Sequence, residues 1–334
     1  MSLHKEIHFE TEICEHLAAH GWLYTQGDAA SYDRARALFP PDVLAWVQAT
    51  QPKAWDILEK NHGAQAADVL LGRLRDSLNQ RGTLDVLHHG IDLLGLRQTL
   101  ALAQFNPALA MNPDILARHA ANRLRVVRQL RYSLHNENAL DLGLFLNGIP
   151  VATAELKTDF TQSVGDAVDQ YRFDSDPRTK GQGNVEPLLS FPNGALVHFA
   201  VSNMEVRMTT RLQGAGTTFL PFNRGDHGAA GNPSSPQPLP RRGGGALNHA
   251  ENLDLTTEPP APLSPRGRGA GGEGVHYGHR TAYLWEDIWA RDSWLEILGR
   301  YLVAQKKREK ADQAYPLPAF PSARCNPQAT GCGA

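Results

Sequence analysis

Two apolar runs, Ala139 to Leu146 and Val151 to Lys157, flank the dipeptide Asn147-Gly148. Asn and Gly tolerate the positive φ values of a tight turn, so the pattern predicts a β-hairpin. This hairpin is the strongest constraint on the fold, because it fixes two neighbouring strands and everything that must pack on them. Asp141 lies inside the first run, and Glu155 and Lys157 close the second. A carboxylate in such an apolar strand is costly to bury unless it is paired or bound to a cation. Residues i and i+2 of a strand face the same side. Glu155 and Lys157 therefore project together, and Leu156 points away.

Register decides whether Asp141 joins them. With a two-residue turn at Asn147-Gly148, Leu146 opposes Ile149 and Asp141 opposes Ala154, which turns Asp141 away from Glu155. With one more loop residue, Leu146 opposes Pro150 and Asp141 falls across from Glu155. Only an odd-length loop, or a bulge with the same effect, unites the carboxylates. The expectation is a loop of three or five residues.

If united, the three side chains form an Asp…Glu-x-Lys centre. Two carboxylates suit Mg²⁺, a hard cation that prefers oxygen and keeps several waters. Such a metal stabilises charge on a phosphate and activates an attacking water. A lysine can orient or deprotonate that water, or stabilise the developing charge. The alternative is a strand salt bridge at the mouth of a core, since Glu-x-Lys triplets are common.

Helical periodicity marks residues 8 to 22, where Phe9, Ile13 and Leu17 recur every four residues and Gly21 follows as a stop. Further helices are expected after Pro40-Pro41, across Ala66 to Gln80, and from Ser163 to Phe173. Gly82 to His88 alternates weakly and reads as a strand. Leu124 to Ser133, Ala195 to Ser202 and Met204 to Thr210 read as strands too. From Tyr283 on, Trp285, Ile288, Trp289, Leu295, Leu298 and Leu302 have helical spacing.

Residues 225 to 275 are rich in Gly, Pro, Ser and Arg and nearly empty of large apolar residues. Such a segment cannot bury enough surface to offset its ordering entropy and is expected to be disordered. Two fragments within it, starting at Pro238 and Pro262, resemble each other as a short repeat would; a basic arm touching DNA phosphates is the other reading. The net charge of −2 implies that any nucleic-acid surface is a local patch or partly a partner's. The three cysteines have no zinc spacing and read as thiols of a reducing cytosol. The first residues lack an apolar stretch, and no run nears the roughly 18 apolar residues of a membrane span, so the chain reads as soluble and cytoplasmic.

Several stretches occur in one order: Phe9-Glu10-Thr11-Glu12-Ile13 to Trp22, Asn122 through Val127-Arg128-Gln129 to Ser133, Asp141 to Pro150, Glu155-Leu156-Lys157, Asp166 to Gln170, and Phe219 to Gly225. Together they resemble the N-terminal region of the restriction (R) subunit of type I restriction–modification enzymes. The resemblance covers roughly residues 5 to 225 and resumes at 280 to 310. It implies an α/β fold with a PD-(D/E)xK nuclease-like core, a mixed sheet flanked by helices. The expected domains are an endonuclease domain over 1–224, the insertion at 225–275, a helical segment over 276–312 and a disordered tail over 313–334.

The resemblance also implies a type I site-specific deoxyribonuclease acting on double-stranded DNA with Mg²⁺, in complex with methyltransferase and specificity subunits. Asp141 and Glu155 would hold the metal and Lys157 would be the catalytic lysine. Glu10 on the first helix would complete the metal site, with Glu12 as the near alternative. Gln170, Arg172 and Arg128 are the candidate DNA contacts, although many relatives carry a tyrosine where this chain has Asp174. The complete subunit also uses ATP, but this chain has no Gly-x-x-x-x-Gly-Lys-Ser/Thr phosphate loop. The tail after about Tyr315 does not continue the family pattern, so the chain reads as truncated before the motor domains. Alone it should bind no ATP and translocate no DNA. Two other readings stay open: a catalytically silent remnant that binds DNA or docks on partner subunits, and a junction resolvase or repair nuclease with the same core.

Overall fold

The computed structural model describes residues 2–107, 112–158, 163–177, 185–224 and 279–303. Six strands lie side by side in chain order: β1 (Leu124–Arg131), β2 (Ala139–Leu146), β3 (Ile149–Leu156), β4 (Val197–Val201), β5 (Val206–Thr209) and β6 (Leu220–Pro221). Every neighbouring pair is antiparallel except β3 and β4, which run parallel. Parallel neighbours need a crossover rather than a tight turn. The connection from β3 to β4 contains a helix, as that rule requires.

The helices are α1 (Ser2–Ala19), α2 (Pro40–Thr50), α3 (Pro52–His62), α4 (Ala66–Arg81), α5 (Thr83–His89), α6 (Pro113–Ala120), the crossover helix α7 (Val164–Asp169) and α8 (Arg291–Glu296). Their ends follow local chemistry. Both α2 and α3 open on a proline, whose missing N–H costs nothing in the first turn. Helix α7 opens on a capping box between Ser163 and Asp166.

The segment from Gly82 to His88, expected as a strand, is instead α5. Gly82 ends α4 at φ 86°, and Gly90 ends α5 at φ 68°. Thr83, Leu84, Val86 and Leu87 are buried, a spacing that fits one face of a helix and not the period of two of a strand. The two flanking glycines were the signal that the weak alternation concealed. The other expected strands appear as β1, β4 and β5.

The sheet is covered on both faces. One face presents Leu124, Val126, Leu142, Leu144, Ala152, Ala154, Leu156 and Phe199, packed with Phe9, Ile13 and Leu17 of α1 and with residues of α2, α4 and α5. Each fully buried Leu or Phe contributes about 2 kcal/mol relative to exposure. The opposite face gathers Val127, Leu130, Leu140, Phe145 and Tyr171.

Residues 279–303 belong to the first of these cores. Trp285, Trp289 and Trp294 are all buried there. The Trp22 indole N–H donates to the carbonyl of Trp289 at 2.9 Å, and Phe199 meets Trp289 edge-on with centroids 5.5 Å apart. The expected helicity is present as α8 between two π-type turns, Leu284–Ile288 and Ile297–Tyr301. The insertion expected over 225–275 and the tail expected over 313–334 lie outside the described residues.

Candidate active site

The hairpin turn has two residues, Asn147 at φ 50° and Gly148 at φ 79°, the geometry that matches the twist of paired strands. Gly148 is also steric: a Cβ there would come within 2.5 Å of the Phe39 carbonyl. Leu146 pairs with Ile149 and Phe145 with Pro150, but Leu144 pairs with Ala152. Val151 is therefore an extra residue, a bulge that advances the register by one. The expected three- or five-residue loop is thus corrected: the turn is short, and the bulge does the same work. Proline has no N–H for a ladder and collects at such irregularities, so Pro150 was the available signal.

Beyond the bulge Leu142 pairs with Ala154. One further step brings Asp141 opposite Glu155. The half-buried Asp141 carboxylate is held at both oxygens. Oδ2 accepts from the Leu156 backbone N–H at 2.7 Å, and Oδ1 accepts from Gln129 Nε2 at 3.2 Å. Glu155 is fully buried, yet neither carboxylate oxygen has a hydrogen-bond partner among the described residues. Burial first, and then the charge of Asp141, push its carboxyl well above the usual range, while Lys157 pulls it back. The backbone N–H of Lys157 donates to the Val201 carbonyl at 2.8 Å, which continues the direction of β3. Its half-buried side chain also lowers the carboxyl of Asp166, though the bonds from Ser163 lower it more.

Glu10 and Glu12 separate cleanly. Glu12 is exposed and pairs with His279 at 3.0 Å. Glu10 is buried and faces the hairpin; Arg128 bonds it through Nε, and Gln129 Nε2 donates to its other oxygen at 2.9 Å. Burial and the nearby Asp141 raise its carboxyl, against the pull of those two donors. Gln129 thus touches both Glu10 and Asp141, from a backbone held at φ 50°. That region costs a glutamine about 1–2 kcal/mol. Sequence reasoning gave Gln129 no role, and nothing in an isolated Arg-Gln pair announces one.

Among the described residues, no group of three or more His, Cys, Asp and Glu side chains forms a metal cage. The third carboxylate, Glu10, is already taken up by Arg128 and Gln129. Mg²⁺, however, asks for only one or two carboxylates, with waters and substrate oxygens completing its shell. Asp141 and the orphaned Glu155 fit that donor set. Burial disfavours the charged form of Glu155, and a bound cation would stabilise it.

The three candidate DNA contacts are differently placed. Gln170 opens a π-type turn, Gln170–Asp174, that continues α7. The buried Tyr171 hydroxyl bonds Thr153 Oγ1 at 2.8 Å, and Thr153 bonds His198 Nδ1 at 2.8 Å. This chain ties the turn to β3 two residues from Glu155. Arg172 donates twice to the Thr217 carbonyl, at 3.1 and 2.9 Å. Arg128 is engaged by Glu10 and by Thr11 Oγ1 at 3.1 Å. Both guanidinium groups are therefore held within the fold.

A family model described as the N terminus of the type I restriction enzyme R protein matches residues 5–217. The chain belongs to this family. The type I R-protein match runs from α1 past β5 and contains Glu10, Gln129, Asp141, Glu155, Lys157 and Gln170. It marks the nuclease region of a type I R subunit, and the mixed α/β sheet flanked by helices agrees with a PD-(D/E)xK-like domain. Residues 279–303, beyond the matched span of this R-protein family, still share its core. Among curated proteins no relative matched the chain. No helix among the described residues is long and apolar enough to cross a membrane.

Proposed function

We propose that this chain is a Mg²⁺-dependent endonuclease domain that hydrolyses phosphodiester bonds of double-stranded DNA, the cutting part of a cytoplasmic type I restriction complex. The observation that carries this reading is Glu155, fully buried with both oxygens unsatisfied beside Asp141 and Lys157. A bound cation would stabilise the ionised form of Glu155 that burial disfavours, and the R-protein family supplies the chemical context.

In this reading Asp141 and Glu155 hold the metal, and Glu10, paired with Arg128, is linked to Asp141 through Gln129. The bound cation supplies charge stabilisation on the phosphate and lowers the pKa of a coordinated water. Asp141 is kept in one orientation by Leu156 and Gln129, so the site is formed before substrate arrives. The apolar wall around Glu155 excludes bulk water and strengthens every charge interaction there. Lys157 orients the attacking water, takes its proton, or offsets charge on the phosphate oxygens. Gln170 on the anchored turn contacts the DNA backbone, and Arg172 and Arg128 would have to leave their internal partners to join it. Methyltransferase and specificity subunits supply the recognised sequence, and the family's ATP chemistry lies outside this chain.

The test is plasmid nicking with and without Mg²⁺, with Asp141→Ala as control. Nicking by the parent chain alone supports the reading, and equal nicking by both points to a contaminant. One observation favours a second reading, a silent DNA-binding or docking module: Arg128 and Arg172 are both spent on internal partners. Absence of metal-dependent nicking together with DNA or subunit binding would select it.

A further inference from the structure

We infer that Gln129 is a positioning residue, whose amide orients the Asp141 carboxylate for a divalent cation by bridging it to Glu10; this deepens the nuclease reading and rests on it. Its Nε2 has two hydrogens and two acceptors, Glu10 Oε1 at 2.9 Å and Asp141 Oδ1 at 3.2 Å. One neutral donor thus stands between two like charges.

The backbone is deformed to bring it there. Arg128 pairs with Leu142 and Leu130 with Leu140, but Gln129 and Asp141 make no ladder pair. Leu142 faces the first core while Leu140 faces the second, and Val127 and Leu130 both face the second. Strict alternation would forbid both patterns. Both strands therefore turn over at this one row, and Gln129 takes its left-handed φ of 50°. The Gln129 side chain is exposed, so the distortion does not serve to bury it.

Charge explains why the donor is an amide. Arg128 already neutralises Glu10. A second cationic side chain in place of Gln129 would compete with a metal for Asp141. A neutral amide fixes the geometry without placing a competing positive charge beside Asp141. Partners that orient metal-ligating carboxylates in this way commonly control affinity without touching the metal.

Gln129→Gly in the full chain separates the amide from the backbone, because glycine adopts φ 50° without strain. Calorimetry with Mg²⁺ and with Mn²⁺, and the metal-free melting temperature, are the readouts. The expected result is a variant that melts at or above the wild type but binds both cations roughly 10-fold more weakly or worse. Gln129→Asn, which keeps an amide and tolerates the same φ, recovers part of that affinity. Unchanged cation binding by Gln129→Gly overturns the inference. So does a melting temperature well below the wild type, which would make Gln129 merely structural. A wild-type chain that binds neither cation removes the nuclease reading itself, and with it this role.

Discussion

Asp141 accepts a hydrogen bond from the backbone N–H of Leu156 at 2.7 Å, so the carboxylate of one strand caps the ladder of the next. The bond exists because Val151 has no partner on β2 and the register has moved by one. Glu155, the neighbour of Leu156, receives the Asp141 charge without receiving any donor of its own. The chemistry of the site follows from that imbalance.

Glu155→Gln removes the imbalance and should show it in stability. The Glu155 carboxyl is raised above its unfolded value near 4.5. Folding then favours the protonated form, so its contribution is present below pH 4.5 and is lost as pH rises through the higher folded value. The metal-free variant is expected to melt a few degrees above the wild type at alkaline pH, with the gap closing towards pH 4.5. Mg²⁺ should raise the melting temperature of the wild type and leave the variant unmoved. Scanning fluorimetry across pH, with and without Mg²⁺, checks both; an equal Mg²⁺ response in the two proteins would count against metal binding at Glu155.

Lys157→Gln addresses chemistry rather than binding. Nicking is expected to fall by roughly 100-fold or more, the usual loss for a proton-transfer or charge-stabilising group. Mg²⁺ affinity by calorimetry should stay within a few-fold of the parent. A variant that nicks at the parent rate would remove Lys157 from the mechanism.

His198 sets an acid limit on the fold. Burial lowers its imidazole to about 3 from an ordinary value of 6.5. The folded state therefore refuses a proton that the unfolded chain accepts. The stability is whole above pH 6.5 and declines as pH falls from there to about 3. His198→Asn, which retains a polar partner for Thr153, is expected to flatten this limb in urea midpoints measured across the acid range. Parallel curves for the two proteins would show that other groups control it.

Trp289→Ala tests whether the late segment is structural. The indole is fully buried against Phe199, and its carbonyl accepts from Trp22. Truncation should cost about 3–5 kcal/mol in denaturant unfolding, as for large aromatic residues in cores. A loss below about 1 kcal/mol would mean that residues 279–303 only rest on the surface.

The hairpin and its three chemical side chains were legible because Asn147-Gly148 and the two apolar runs are local signals. The bulge was legible only as an alternative, since an extra Val151 leaves the alternation of residue types nearly intact; Pro150 was its sole mark. Glu10 was separable from Glu12 only in three dimensions, because both are acidic residues on one helix. Gln129 was invisible as a site residue, because a left-handed φ in a strand has no compositional trace in glutamine. Segment Gly82 to His88 misled because seven residues are too few for either period to dominate, and the deciding glycines lie at its ends. The helical spacing after Tyr283 was plain, but its partner, the core under β4, is distant in sequence.

That last partnership has a consequence for synthesis. A chain that has emerged only as far as Arg224 carries the whole described sheet and every residue of the proposed metal site, yet one face of its core still lacks Trp285, Trp289 and Trp294. The apolar floor beneath Phe199 can close only after Leu302 has been made. On the ribosome the proposed cutting centre would thus be encoded early and consolidated late, and a nascent chain would spend that interval with the apolar surface around Trp22 and Phe199 open to chaperones and to other chains.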